Sequence, residues 1–91
     1  MPYIDPDRRK DLDPFLKSIC EAVVHVSEGE MNYVLSRLML AHVTHDGLLK
    51  PSYADYEAAI GLLECVKLEL YRRAVAVYED RKVRENGDVF V

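Results

Sequence analysis

The chain has 91 residues, of which 49% are hydrophobic and 31% charged, and its formal net charge is −4. This length predicts a single helical domain over residues 1–91, and the hydrophobic content excludes an intrinsically disordered chain. The mild acidity disfavours nucleic-acid binding, which needs a basic excess. No apolar run reaches the ~20 residues of a membrane helix, and the charged N-terminus lacks the apolar segment of a signal peptide. We therefore expect a cytoplasmic protein without a membrane partner.

The N-terminal third is predicted to begin with two helical pieces. An Asp-Pro pair at positions 5 and 6 is typical of an N-cap and a first helical residue, and the same pair recurs at positions 13 and 14. A proline inside a helix removes a backbone hydrogen bond. The sequence therefore predicts a short helical turn over residues 6–12 and a separate helix over about 14–25.

The next helix has a clear start and a clear end. Ser27 and Glu30 have the spacing of a capping box, in which each side chain accepts a hydrogen bond from the backbone of the other. Gly47 can supply the left-handed conformation that follows many helices. The pattern predicts a helix from this box to about His45.

The last predicted helix, residues 52–84, contains no proline, and Ser52 with Asp55 opens it with a second capping box. At about 100° per residue, two apolar strips follow this helix. The first strip contains Tyr56, Ala59, Leu63, Val66, Leu70, Ala74 and Val77, and the second contains Ala58, Leu62, Cys65 and Ala76. Since a helix that is apolar on two sides needs cover on two sides, we expect it to lie at the centre of the domain.

The predicted fold is all-α: an antiparallel three-helix arrangement with one long C-terminal helix and short extended arms at both termini. The last helix would be roughly 48 Å long, against about 27 Å and about 18 Å for the other two. Its C-terminal half should extend beyond them while still carrying apolar residues at positions 74–78. We expect a homodimer through this half, with the C-terminal tail as the competing cover.

An antiparallel arrangement would bring the start of the second helix level with the middle of the last one. The polar layer predicted there consists of Glu30, Asn32, Glu64, Lys67 and Tyr71. Ion pairs that fix the helix register or the dimer interface are one interpretation of this polar layer. A carboxylate metal site and an acid/base site with shifted pKa values are the alternatives. Four-helix carboxylate proteins carry Glu-x-x-His motifs, which this chain lacks.

A basic patch occupies the last turns of the long helix and consists of Arg72, Arg73, Arg81, Lys82 and Arg84. Cations are favoured at a helix C-terminus by the helix dipole, and the interleaved acidic residues weaken their field. A surface for phosphate groups is the alternative interpretation.

The other candidate groups indicate no cofactor. His42 and His45 have the spacing of a two-ligand metal clip, but His25 would lie at the opposite end of the bundle. Histidines near helix C-termini are also expected from the helix dipole alone. Cys20 and Cys65 lie in apolar helical patterns and are expected to be buried, reduced thiols, with a disulfide as the alternative. Phosphate loops, nucleophile elbows and zinc-ligand spacings are missing.

Four segments of the sequence resemble a family of short uncharacterised bacterial and phage-encoded proteins. These are the opening MPYI, GEMNY at 29–33, GLLECVKLELYRR at 61–73 and YEDRKVRENGDVF at 78–90. Met31 stands where the family's pattern has leucine. The resemblance covers nearly the whole chain and implies a small cytosolic protein of phage or prophage derivation, without naming an activity.

These features favour a small non-enzymatic protein of interaction or assembly that forms oligomers. The alternative function is a small metal-binding protein or enzyme that uses the polar layer. A salt-bridged layer would favour the first hypothesis, and a layer that lines a solvent-filled pocket would favour the second.

Overall fold

The computed structural model describes all 91 residues, and about three quarters of them are helical, with no strand. The helices are α1 (Pro6–Ala22), α2 (Glu28–Thr44), α3 (Tyr53–Leu70) and α4 (Ala76–Asn86). A five-residue π-helical turn, Tyr71–Val75, joins α3 to α4, so residues 53–86 form one long helix. The predicted all-α fold with a long last helix is confirmed.

The chain divides into two compact units. The first is Pro2–Ala59, and the second is Ile60–Val91 together with Met1. A single domain over residues 1–91 stays a prediction. The terminal segments before α1 and after α4 are not helical, as expected for the two arms.

Helix α1 begins as predicted but is not divided. The Asp5 side chain accepts a hydrogen bond from the backbone N–H of Asp7 at 2.8 Å, and Pro6 is the first helical residue. The predicted break at Pro14 is wrong, because α1 continues through this proline to Ala22. The proline leaves the Lys10 carbonyl without its helical donor. Lys10 is exposed, so water can hydrogen-bond that carbonyl and the helix persists.

Helix α2 has the predicted capping box. Glu30 accepts from the Ser27 backbone N–H at 3.1 Å, and Ser27 Oγ accepts from the Glu30 N–H at 3.1 Å. At its other end the left-handed conformation begins earlier than expected, with φ of 49° at His45 and 56° at Asp46, before Gly47 at 85°. The predicted glycine is therefore the last of three left-handed residues rather than the first.

Helix α3 opens with the second predicted capping box. The Asp55 carboxylate accepts from the Ser52 backbone N–H at 2.8 Å and from its hydroxyl at 3.0 Å. The Asp55 N–H donates to Ser52 Oγ at 3.3 Å. Both interhelical connections thus end in a serine that caps the next helix.

The π-helical turn changes which residues share a face of the long helix. Within it, the Ala76 N–H bonds to the carbonyl of Tyr71, five residues earlier rather than four. This bond inserts one extra residue into a turn, so every later residue is displaced by about 100° around the axis. Ala74 and Val77, predicted to continue the first apolar strip, turn away from Leu70. Their places are taken by Val75 and Tyr78.

No side chain of the chain is buried. Large apolar residues remain exposed on every helix, including Phe15 on α1, Leu38 on α2, Leu70 on α3 and Val77 on α4. The expectation that the long helix forms a covered centre is therefore not met within one chain. Its apolar strips face solvent instead.

Candidate interaction surface

The first two residues of the predicted polar layer have local partners in α2. Glu30 takes part in the capping box of α2. The hydrogen bond from the Ser27 backbone N–H, and to a smaller extent that from the Ser27 hydroxyl, lowers the pKa of the Glu30 carboxyl. The Asn32 side-chain oxygen accepts from the hydroxyl of Ser36 at 3.1 Å. Both side chains are exposed, and they lie in the unit Pro2–Ala59.

The other three residues of the polar layer lie in the second unit. Lys67 Nζ is 3.0 Å from the Glu64 carboxylate, one helical turn away. Tyr71 is exposed and begins the π-helical turn. Glu64 and Lys67 therefore pair within their own helix, and this contact does not link two helices. The layer as a whole stays a prediction.

The basic patch separates into two kinds of residue. Arg72 is 2.8 Å from the Glu69 carboxylate, and Lys82 is 3.1 Å from that of Glu85. These two cations have acidic partners three residues away on the same helix. The remaining three, Arg73, Arg81 and Arg84, make no ion pair within the chain.

The three unpaired arginines lie together along one open groove. The residues that line this arginine groove are Arg73, Ala74, Val77, Tyr78, Arg81 and Arg84. It follows one face of α4 and the end of the π-helical turn. Charged side chains thus flank an apolar floor, of which Val77 is 60% exposed.

Tyr78 helps to position the cations at this surface. The Arg81 guanidinium lies 5.3 Å from the centroid of its ring, and Lys82 Nζ lies 5.6 Å from the same centroid. Both distances are within the range of cation–π attraction. The tyrosine ring therefore lies beside two cations of its own chain.

The sequence predicts the arginines of the groove but not its floor. It places Ala74 and Val77 in the first apolar strip, because an uninterrupted α-helix aligns them with Leu70. The difference comes from the π-helical turn, which the sequence does not indicate. Such turns occur mostly as single bulges inside α-helices and are frequent at functional sites.

The histidines lie at the end of α2. His42 and His45 line a shallow depression with Val43, Asp55, Ala58 and Ala59. The charge of His45 also contributes, after the two hydrogen bonds from Ser52, to the lowered pKa of Asp55. No three His, Cys, Asp or Glu side chains come together in a way that could hold a metal ion. Cys20 and Cys65 are both free thiols, but both are exposed, so the predicted burial is wrong because no helix of the chain covers them.

Comparisons with known proteins identify a family and no activity. Residues 1–89 match the family model described as a domain of unknown function, DUF6899. Neither a curated protein nor a solved structure matches the chain. Among the helices, none is both long enough and apolar enough to cross a membrane.

Proposed function

The chain belongs to the domain-of-unknown-function family DUF6899, and we propose that it is a small non-enzymatic assembly protein that acts as a homodimer. One observation carries this proposal. Although 49% of the residues are hydrophobic, not one side chain is buried within the chain. Burial of apolar surface is the main favourable term in folding, so a partner must supply it.

The exposed area supports a second copy as that partner. The chain exposes 8223 Å². Obligate homodimers bury roughly 2000–5000 Å² or more, so the chain has enough exposed surface for such an interface.

The long helix offers the most continuous surface for this contact. With the π-helical turn included, Leu63, Val66, Leu70, Val75 and Tyr78 follow one face, and we name this set the apolar stripe. Val66 is 57% exposed and Leu70 63%. Burial of such side chains stabilises by about 1.5–3 kcal/mol each. We place the dimer contact along this stripe, which includes the C-terminal half of the long helix.

The setting of this assembly is also part of the proposal. The two free thiols, Cys20 and Cys65, support a cytoplasmic location, where thiols stay reduced. The resemblance of four segments to bacterial and phage-encoded proteins supports a phage or prophage derivation. Prophage genes beside the coding sequence would support that derivation, and a housekeeping neighbourhood across several hosts would remove it.

Folding and association should occur in one step, which a dilution series can test. Light scattering should give twice the chain mass at micromolar concentration. Helix content by circular dichroism should fall on dilution, and the melting midpoint should rise with protein concentration. A fully helical monomer whose melting midpoint does not depend on concentration would overturn the proposal.

A pair of variants at one position ties the dimer to the apolar stripe. Leu70→Asp places a charge in the predicted contact and should abolish the dimer and most of the helix content together. Leu70→Met conserves volume and apolar character, so it should keep both. A Leu70→Asp protein that remains a helical dimer would exclude this face as the interface.

A further inference from the structure

We propose that the arginine groove binds an acidic amphipathic helix of a different protein. The inference rests on the proposed role in assembly but does not require the chain to be a dimer. It assigns an external partner to the face of α4 beside the apolar stripe, and Tyr78 borders both surfaces.

The distribution of ion pairs gives the first argument. The second unit has six basic residues, and three of them, Lys67, Arg72 and Lys82, pair with a carboxylate three residues away. The other three all line the groove. Arg73 and Arg81 are eight residues apart, which is about 12 Å along a helix axis. The groove therefore presents separated, unpaired guanidinium groups, the side chains best suited to bidentate binding of carboxylates.

The floor of the groove gives the second argument. Val77 lies midway between Arg73 and Arg81 and remains mostly exposed, with Ala74 and Tyr78 beside it. A ligand that fills the groove needs apolar groups between its negative charges. An amphipathic helix with acidic residues on both sides of a leucine has this arrangement, and two helices can associate through apolar positions that are flanked by opposite charges.

A nucleic acid fits these observations less well. The whole chain carries a net charge of −4, which repels a long polyanion. Asp80, about 60° around the helix from Val77, borders the groove and lowers its positive potential. The Tyr78 ring, which a base could otherwise stack on, already has Arg81 and Lys82 beside it. A short ligand with few charges suits this surface better.

A second copy of the chain also lacks the required pattern. Of the acidic residues without an ion pair, only Asp13 and Glu21 lie eight residues apart on one helix. Lys17 stands midway between them, where the ligand needs an apolar side chain. A second copy therefore offers no helix with the pattern that the groove requires.

The test uses a synthetic helical peptide with two glutamates eight residues apart and a leucine midway between them, labelled for fluorescence anisotropy. This spacing copies Arg73, Val77 and Arg81 and reads the same in both chain directions. Two control peptides replace either the glutamates by glutamine or the leucine by serine. The full-length protein should bind the first peptide and should bind both control peptides much more weakly.

Matched variants then locate the binding. Arg73→Gln with Arg81→Gln should weaken binding by about tenfold, since each exposed charge pair contributes modestly. Arg72→Gln with Lys82→Gln removes the same charge from ion-paired positions and should change affinity less than about twofold. Circular dichroism and light scattering of both double variants check that the helix content and the oligomeric state are unchanged. The conservative double variant Arg73→Lys with Arg81→Lys should retain part of the affinity for the acidic peptide.

Three results would overturn the proposal. The first is no measurable binding of the acidic peptide, and the second is equal weakening by the two double variants. The third is tighter binding of a DNA duplex than of the peptide, with the same dependence on Arg73 and Arg81, which would assign the groove to nucleic acid. None of these binding measurements reports the oligomeric state, which light scattering measures. The dimer proposal and the groove proposal can therefore be refuted separately.

Discussion

The backbone N–H of Ala76 donates its hydrogen bond to the carbonyl oxygen of Tyr71, five residues earlier in the chain. This bond accommodates one extra residue in the long helix and displaces all of α4 by about 100°. Val75 rather than Ala74 then follows Leu70 on the apolar stripe. Val77 moves to the floor of the arginine groove. This backbone bond thus sets which residues of α4 lie on the stripe of the proposed dimer and which line the proposed binding groove.

Two neighbouring valines should therefore respond differently to the same substitution. Val75→Asn introduces an amide into the proposed dimer contact and should destabilise the dimer by about 2 kcal/mol. Val77→Asn changes the groove and should leave dimer stability nearly unchanged while it weakens binding of the acidic peptide. Asparagine has the same helix propensity at both positions, so a difference in stability between the two variants shows which valine lies in the dimer contact. Urea unfolding at one fixed protein concentration measures the stability of each variant.

The opposite ranking would contradict the rotation of α4. If Val77→Asn destabilised the dimer more than Val75→Asn, the long helix would follow the uninterrupted α pattern. The first apolar strip, as predicted from sequence, would then be the interface.

Deletion of Ala74 gives a second prediction about the same turn. Removal of one residue allows Val75 to follow Leu70 in an ordinary α-helix, so the apolar stripe is kept and the π-helical turn is no longer needed. The melting midpoint of the dimer should stay the same or rise. Insertion of an alanine after Ala74 requires yet another residue in the turn and should lower the midpoint. An equal loss from both changes would show that the turn does not absorb the extra residue.

The parts of the fold that follow from local spacing could be predicted from the sequence. Ser27 with Glu30, and Ser52 with Asp55, need only a serine and an acid three residues apart at the start of a helix, and both capping boxes form. The break at Pro14 was a local prediction too, and it failed. That prediction takes account of the hydrogen bond that a proline removes from a helix. It does not take account of the water that can bind to the carbonyl when that carbonyl is exposed.

The π-helical turn could not be predicted, because residues 74–78 are Ala, Val, Ala, Val and Tyr. An apolar residue stands at every position, so the stripe looks continuous with or without an extra residue. The groove was hidden for a related reason. Glu69 lies three residues before Arg72 and four before Arg73, and spacing alone does not decide which arginine it pairs with. The side-chain geometry assigns it to Arg72 and leaves Arg73 in the groove.

The capping serines should each contribute measurably to stability. Ser27→Ala and Ser52→Ala remove the hydroxyl that accepts the N–H of Glu30 or Asp55, and each should reduce the free energy of unfolding by about 1 kcal/mol. Ser18→Ala is a matched control, because this exposed serine lies inside α1, where alanine is the better helix former. It should be neutral or slightly stabilising. An equal loss at all three serines would indicate a general effect of the substitution rather than capping.

The same capping boxes should make the free energy of unfolding depend on pH. Hydrogen bonds from Ser27 lower the pKa of Glu30, and those from Ser52 lower that of Asp55. A carboxylate whose folded pKa lies below its unfolded value stabilises the folded state fully above the unfolded pKa, about 4.3 for Glu and about 3.9 for Asp. This contribution is lost as the pH falls through the lowered folded pKa values. Stability should therefore be flat near neutral pH and fall below about pH 4.5.

A double variant isolates this effect from the other carboxylates. Glu30→Gln with Asp55→Asn should be less stable than the wild type at pH 7, and the two unfolding curves should converge as the pH approaches 3. Urea unfolding at a fixed protein concentration across this range measures the difference. A gap of constant size from pH 7 to pH 3 would mean that the amides disturb packing or helix propensity, because only a contribution from ionised carboxylates disappears when both groups are protonated.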